Sequence, residues 1–168
     1  MRISRASFLR GSFAGSRPVV RPPWSKPESE FIEACSRCND CVRACPENII
    51  IQGRSGFPEV DFSRGTCIFC GVCASVCPDG AIDRVDRSKG RPRKAWALTP
   101  AIGNACLAMC GVECRVCTEA CEPRAIIMKL RVGGPAQPFV EPGACTGCGA
   151  CVAPCPAGAI AIQPLQEH

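Results

Sequence analysis

Tyrosine is absent from this chain, and tryptophan (2), methionine (3) and histidine (1) are nearly so. With Gly and Pro at 16 positions each, apolar side chains alone can build only a small core, so bound cofactors are expected to complete it. The single histidine, His168, stands at the chain end and is assigned no ligand role. No run of seven or more apolar residues occurs in the first thirty positions, and no stretch approaches the length of a membrane span; neither a secretory leader nor membrane insertion is expected. No acid-base pair, phosphate-binding glycine loop or open metal position is recognisable, which argues against an enzyme. Basic residues are not interleaved with stacking aromatics, which argues against nucleic acid as a partner.

What the chain has is cysteine: 17 in 168 residues, about a tenth of all positions and far above ordinary usage. A disulfide scaffold normally comes with a secretory signal and an even count; here neither holds. Reduced thiols awaiting metal, in a cytoplasmic protein, are the expectation. Charge is uneven. Residues 1–27 hold six Arg or Lys and no acid, and "RVDRSKGRPRK", residues 84–94, holds six basic residues against Asp86, so the rest is net negative although the whole is formally +5. The basic stretches read as solvated segments.

The cysteines fall into nests. "CSRCNDCVRACP" (Cys35 to Pro46), "CIFCGVCASVCP" (Cys67 to Pro78) and "CTGCGACVAPCP" (Cys145 to Pro156) share the pattern C-x2-C-x2-C-x3-C-P, and "CLAMCGVECRVCTEACEP" (Cys106 to Pro123) is an irregular version in third place. That run is the bacterial ferredoxin arrangement for a 4Fe-4S cluster, in which the fourth cysteine serves the other cluster of a pair. Three thiols two residues apart on a looped backbone can converge on three corners of a small cube. Zinc, by contrast, usually takes two C-x2-C knuckles across a longer gap. Crossed ligation predicts four sets: Cys35, Cys38, Cys41 with Cys77; Cys67, Cys70, Cys73 with Cys45; Cys145, Cys148, Cys151 with Cys121; and Cys114, Cys117, Cys155 with either Cys106 or Cys110. Spacing alone favours Cys110. The fold should depend on the metal, because the ligands cross between halves.

The nests pair, with 21 residues between Cys45 and Cys67 and 23 between Cys121 and Cys145. The expected organisation is a flexible basic segment at 1–30, a first two-cluster unit at 31–85, a basic linker at 86–100 and a second unit at 101–168. After each nest an echo ("ENIII", "DGAID", "EPRAII", "AGAIAI") suggests one helical turn, then a short strand. Turns at Gly53 to Gly56 and at Gly133–Gly134 suggest hairpins between nests. The fold class is therefore α+β: two tandem bacterial 2x(4Fe-4S) ferredoxin-like domains with short antiparallel hairpins and short helices. Trp24 and Trp96 are read as packing caps over the repeats.

"RPPWS" (Arg21 to Ser25), "KAWAL" (Lys94 to Leu98) and the third nest, in this order among four nests, resemble the ferredoxin-type NapF family of the periplasmic nitrate reductase system over nearly the whole chain. The resemblance implies Cys106 as first ligand of the irregular nest, leaving Cys110 as the odd thiol, and hence four 4Fe-4S clusters on sixteen cysteines. "SRASFLRG", Ser4 to Gly11, has a twin-arginine cadence with Ala6 in place of the second arginine, which agrees with family members that are not exported. The resemblance further implies a cytoplasmic protein, expected to be monomeric, that contacts the catalytic subunit of periplasmic nitrate reductase and assists its maturation by electron supply or cluster assembly. A respiratory carrier between a quinol-oxidising complex and a reductase is the alternative.

Overall fold

The computed structural model describes residues 19–53, 55–87 and 89–165; the twin-arginine-like phrase and His168 lie outside them. Elements in the described residues are short. They run α1 (Glu28–Ala34), α2 (Asp40–Arg43), β1 (Ile50–Gln52), β2 (Pro58–Val60), α3 (Val72–Ser75), β3 (Val85–Asp86), β4 (Arg91–Pro92), β5 (Leu98–Ile102), α4 (Val116–Glu119), β6 (Ile126–Arg131), β7 (Gly134–Val140) and β8 (Ile160–Pro164). The strands pair antiparallel as four two-stranded sheets, β1 with β2, β3 with β4, β5 with β8, and β6 with β7. Helices and hairpins thus alternate as an α+β arrangement.

The hairpins form where turn chemistry permits. Gly53 N–H donates to Phe57 C=O at 2.8 Å and Gly56 takes φ of +82°, closing β1 on β2 in the register Ile50↔Val60, Ile51↔Glu59, Gln52↔Pro58. Left-handed φ is a conformation glycine adopts without a Cβ penalty. In β8 the isoleucines alternate: Ile160 and Ile162 are buried while Ala161 faces out, the period-two pattern of a half-buried strand.

The two halves repeat one plan. In the second, β5 covers the end of the chain through five pairs, Leu98↔Pro164 to Ile102↔Ile160, and Gly103 N–H reaches Ala159 C=O at 2.7 Å. In the first, Ser25 bridges Ile82, and Lys26 N–H reaches Ala81 C=O at 3.0 Å. Each half therefore begins with an extended segment that closes over the residues after its last nest.

This closure corrects one expectation. Residues 20–26, read as part of a flexible basic segment, are packed. Val20 and Trp24 are buried, Val60 N–H donates to Val20 C=O at 2.7 Å, and α1 buries Phe31. The positive charge there is used locally: the Arg21 guanidinium is half of a two-bond pair with Glu28 (2.7 and 3.0 Å), donates to Pro58 C=O at 3.1 Å, and lies 5.2 and 5.5 Å from the Phe31 and Phe57 rings. The stretch 86–100 likewise holds the β3–β4 hairpin and most of β5 rather than a featureless linker. The helical turns also sit elsewhere than expected. α2, α3 and α4 each carry a nest's third cysteine and end before the fourth, and the chain leaves the fourth cysteine in a turn instead of a helix.

One core spans both halves. Phe31, Ile49, Ile50, Phe57, Phe62 and Ile82 of the first join Ile126, Ile160 and Ile162 of the second, with the thiols of Cys41, Cys73 and Cys151 among them. At the joint, Trp24, Phe69, Trp96 and Phe62 form a chain of edge-on ring contacts with centroids 6.5, 5.6 and 5.6 Å apart, a favoured geometry for aromatic quadrupoles. Cys67 N–H donates to Cys148 C=O at 2.9 Å, as does the Thr66 hydroxyl at 3.1 Å. Gly149 leaves room for Phe62: a Cβ there would lie 2.0 Å from the ring.

Candidate metal centres

The nests are shaped by backbone that their residues would not choose unaided. In the first, second and fourth, the residues two and four past the first cysteine are left-handed: Arg37 (φ 61°) and Asn39 (63°), Phe69 (54°) and Gly71 (80°), Gly147 (75°) and Gly149 (79°). For a residue with a Cβ this conformation costs about 1–2 kcal/mol. Alternation of left- and right-handed residues turns successive N–H groups toward one concavity, an arrangement that receives anions and iron-sulfur centres. A further left-handed residue lies three beyond the fourth cysteine in all four nests: Asn48, Gly80, Arg124 and Gly158. After three of these turns an N–H is delivered to the thiol, from Ile82 to Cys77 Sγ (3.5 Å), Ala125 to Cys121 Sγ (3.2 Å) and Ala159 to Cys155 Sγ (3.3 Å). Phe69 N–H reaches Cys67 Sγ at 3.4 Å. Such donors favour the thiolate.

The thiols expected to form crossed sets lie as follows. One small cleft is walled by Cys45, Cys67, Cys70 and Cys73 with Trp24, Ile49, Ile50 and Phe69. A second is walled by Cys121, Cys145, Cys148 and Cys151 with Pro100, Ala125, Ile126 and Ile162. Each brings a fourth cysteine from one nest to three from the next. For the first set, the Cys41 thiol lies in the field of Cys35, Cys77 and Cys38. In the irregular nest, Cys117 feels Cys106 and Cys114, whereas Cys110 is exposed and its Sγ donates to Asn104 C=O at 3.4 Å. The geometry thus turns Cys110 away from the set that spacing alone would give it. The reason is local: Arg115 before α4 has φ of −127°, not left-handed, and the chain from Cys106 reaches Cys114 through a tight turn with Cys110 N–H on Cys106 C=O at 3.0 Å. Cys155 is held by its bond to Ala159 N–H.

The donor sets suit a polynuclear sulfur-ligated centre. Burial, followed by neighbouring thiols, pushes the pKa of Cys41 up to about 11 and those of Cys73 and Cys151 up to about 12. Burial does the same to Cys67, to about 11, against the Phe69 hydrogen bond that lowers it. Left to themselves, thiols so placed stay protonated; four together become thiolates when positive metal offsets their repulsion. Among the described residues no three His, Cys, Asp or Glu converge on the position of a single ion.

Thiols of different nests also come near one another: Cys73 lies in the field of Cys41, Cys67 in that of Cys148, and Cys151 in that of Cys117. The second of these approaches coincides with the Cys67–Cys148 backbone bond at the joint. Sequence spacing could not reveal that link.

Comparison with known families places the chain in a class. Residues 34–81 match the 4Fe-4S dicluster domain and residues 138–161 the 4Fe-4S binding domain, so the architecture of paired cysteine nests is that of a ferredoxin-type iron-sulfur protein. The chain is 42% identical over 165 residues to the ferredoxin-type protein NapF of Escherichia coli (strain K12), covering 98% of this chain and 97% of that protein. It is 39% identical over 176 residues to the NapF of Haemophilus influenzae, covering 99% and 97%. To the ferredoxin-type protein NapG of Escherichia coli (strain K12) it is 36% identical over 162 residues, 87% of this chain and 70% of that one. The chain belongs to the ferredoxin-type NapF family. No helix among its described residues is long and apolar enough to cross a membrane.

Proposed function

We propose that this chain is an electron-transfer accessory protein whose sixteen cysteines, all but Cys110, hold four 4Fe-4S clusters in crossed sets, with Cys106 completing the fourth. These clusters supply one-electron redox chemistry when bound. The chain's own residues gather the thiols, exclude water around Cys41, Cys73 and Cys151, and aim N–H groups at Sγ atoms, which tunes a cluster's potential. The observation that carries the reading is that successive nests adjoin: clefts lined by Cys45 with Cys67, Cys70 and Cys73, and by Cys121 with Cys145, Cys148 and Cys151, each mix two nests, and the Cys67–Cys148 backbone bond joins the second nest to the fourth. A protein that only stored iron would have no need of contiguous sites, whereas one that passes electrons between two contact surfaces does.

The work proposed for that line is maturation of the catalytic subunit of periplasmic nitrate reductase in the cytoplasm, by reducing or assembling that subunit's own iron-sulfur cluster before export. Support comes from kinship with NapF and NapG proteins across most of the chain. Anaerobic purification of the tagged chain should bring the reductase precursor with it, and a strain lacking the chain should make reductase deficient in its cluster. Fully loaded reductase in that strain would refute maturation and leave a respiratory relay as the better account.

A further inference from the structure

The two halves repeat one plan, yet their hairpins differ. β1 and β2 have three residues each; β6 and β7 have six and seven. The base of the longer hairpin serves the fold, with Ile126 buried opposite Val140. Its outer part does not. Ile127 and Phe139 pair on the outward face at 42% and 40% exposure, and at the tip Leu130 and Val132 are 94% and 103% exposed. Apolar side chains so fully in water, on an extension the first half lacks, are a feature of contact surfaces.

The same face is cationic. Lys129 shares it with Ile127 and Phe139, its Nζ 3.1 Å from the Phe139 ring centroid, and Arg131 pairs with Gly134 at the turn. Residues 125–140 contain no Asp or Glu. At the hairpin's foot charges balance, since the cleft there is lined by Arg115, Arg124, Glu119 and Glu122, beside Cys121. The unopposed positive charge therefore coincides with the exposed apolar tip, and the hairpin stands against the third nest.

We propose that the β6–β7 hairpin docks a protein partner whose contact surface is apolar and bordered by carboxylates, seating that partner beside the third nest. Apolar contact gives the complex its hold, while Lys129 and Arg131 orient it. The chemistry of the surface stands on the hairpin alone; that the occupant is the nitrate reductase catalytic subunit rests on the maturation function proposed for the chain.

The test is site-specific photocrosslinking in anaerobically grown cells making the full chain, with p-benzoylphenylalanine in place of Leu130 and, as control, of exposed Ile32 on α1. Iron content and visible absorbance equal to those of the unmodified chain certify folding. Expected is an adduct to one other protein from position 130 and none from 32, with carboxylates and apolar residues in the crosslinked peptide. The pair Lys129→Glu and Arg131→Glu should lower its yield about tenfold; Leu130 cannot be varied in that design, so Val132→Ser tests the apolar part. No adduct, an adduct to a second copy or to lipid, or a yield indifferent to charge reversal overturns the proposal. An adduct to a protein other than the reductase subunit upholds the docking surface and defeats the maturation reading. Reductase precursor co-purifying without an adduct at 130 does the reverse.

Discussion

The joint between the halves offers the sharpest stability test. In Gly149→Ala the new methyl would lie 2.0 Å from Phe62 Cδ1 and 2.5 Å from its Cγ and Cε1. A ring cannot yield as a flexible side chain can, and Phe62 is buried and stacked edge-on against Trp96 at 5.6 Å. Overpacking of this kind costs about 1–3 kcal/mol, and alanine at φ of +79° adds about 1 kcal/mol. The sum, about 2–4 kcal/mol, is a large part of the 5–15 kcal/mol typical of a domain. Phe62→Ala alone should cost about 3–5 kcal/mol. In the Phe62→Ala background the clash is gone, so Gly149→Ala should then cost only the backbone part, about 1 kcal/mol. The coupling of about 1–3 kcal/mol is the prediction. Because unfolding releases metal, stability is best read as a rate, namely the loss of visible absorbance in guanidinium under anaerobic conditions; each 1.4 kcal/mol in the barrier is about tenfold. Equal acceleration by Gly149→Ala in both backgrounds would show that Phe62 does not fill that space, and the account of the joint would fall.

Further outcomes hang on particular side chains. Cys106→Ser should remove about a quarter of roughly sixteen iron atoms, while Cys110→Ser leaves iron content unchanged; the opposite pattern by metal analysis would reassign the fourth set. In the intact anaerobic protein iodoacetamide should modify Cys110, exposed and bonded only to Asn104 C=O, ahead of every other thiol, as peptide mass spectrometry would reveal. Arg21→Ala removes two ring contacts, the bond to Pro58 and a half-exposed pair with Glu28; a loss of about 2 kcal/mol should lower the apparent melting temperature by about 4–8 °C. Metal removal leaves Cys41, Cys73 and Cys151 with pKa values raised from 9.0 to about 11 or 12. Raised thiols favour the folded form below pH 9, and that contribution is lost as pH climbs towards 11–12. Residual structure of the chelated protein, measured by circular dichroism, should therefore weaken above pH 9; structure that strengthened there would contradict the burial of these thiols.

The sequence by itself determined what is local: three regular nests, an irregular fourth, and the hairpin turns at Gly53 to Gly56 and Gly133–Gly134. Spacing of two or three residues restricts thiols to one small neighbourhood whatever surrounds them, and left-handed glycines mark turns wherever they occur. The motif anticipated that Cys77 joins Cys41, but tertiary structure alone decided that the second nest meets the fourth, because Cys67 reaches Cys148 only once segments tens of residues apart have packed. It also drew Val20 and Trp24 into the core, since the partners of Arg21 and Trp24, at Pro58 and Ala95, leave no periodic signal around those residues. Spacing favoured Cys110 and the family resemblance implied Cys106; the turn after Gly103 folds Cys110 outward, a reversal of direction that a count of intervening residues cannot see.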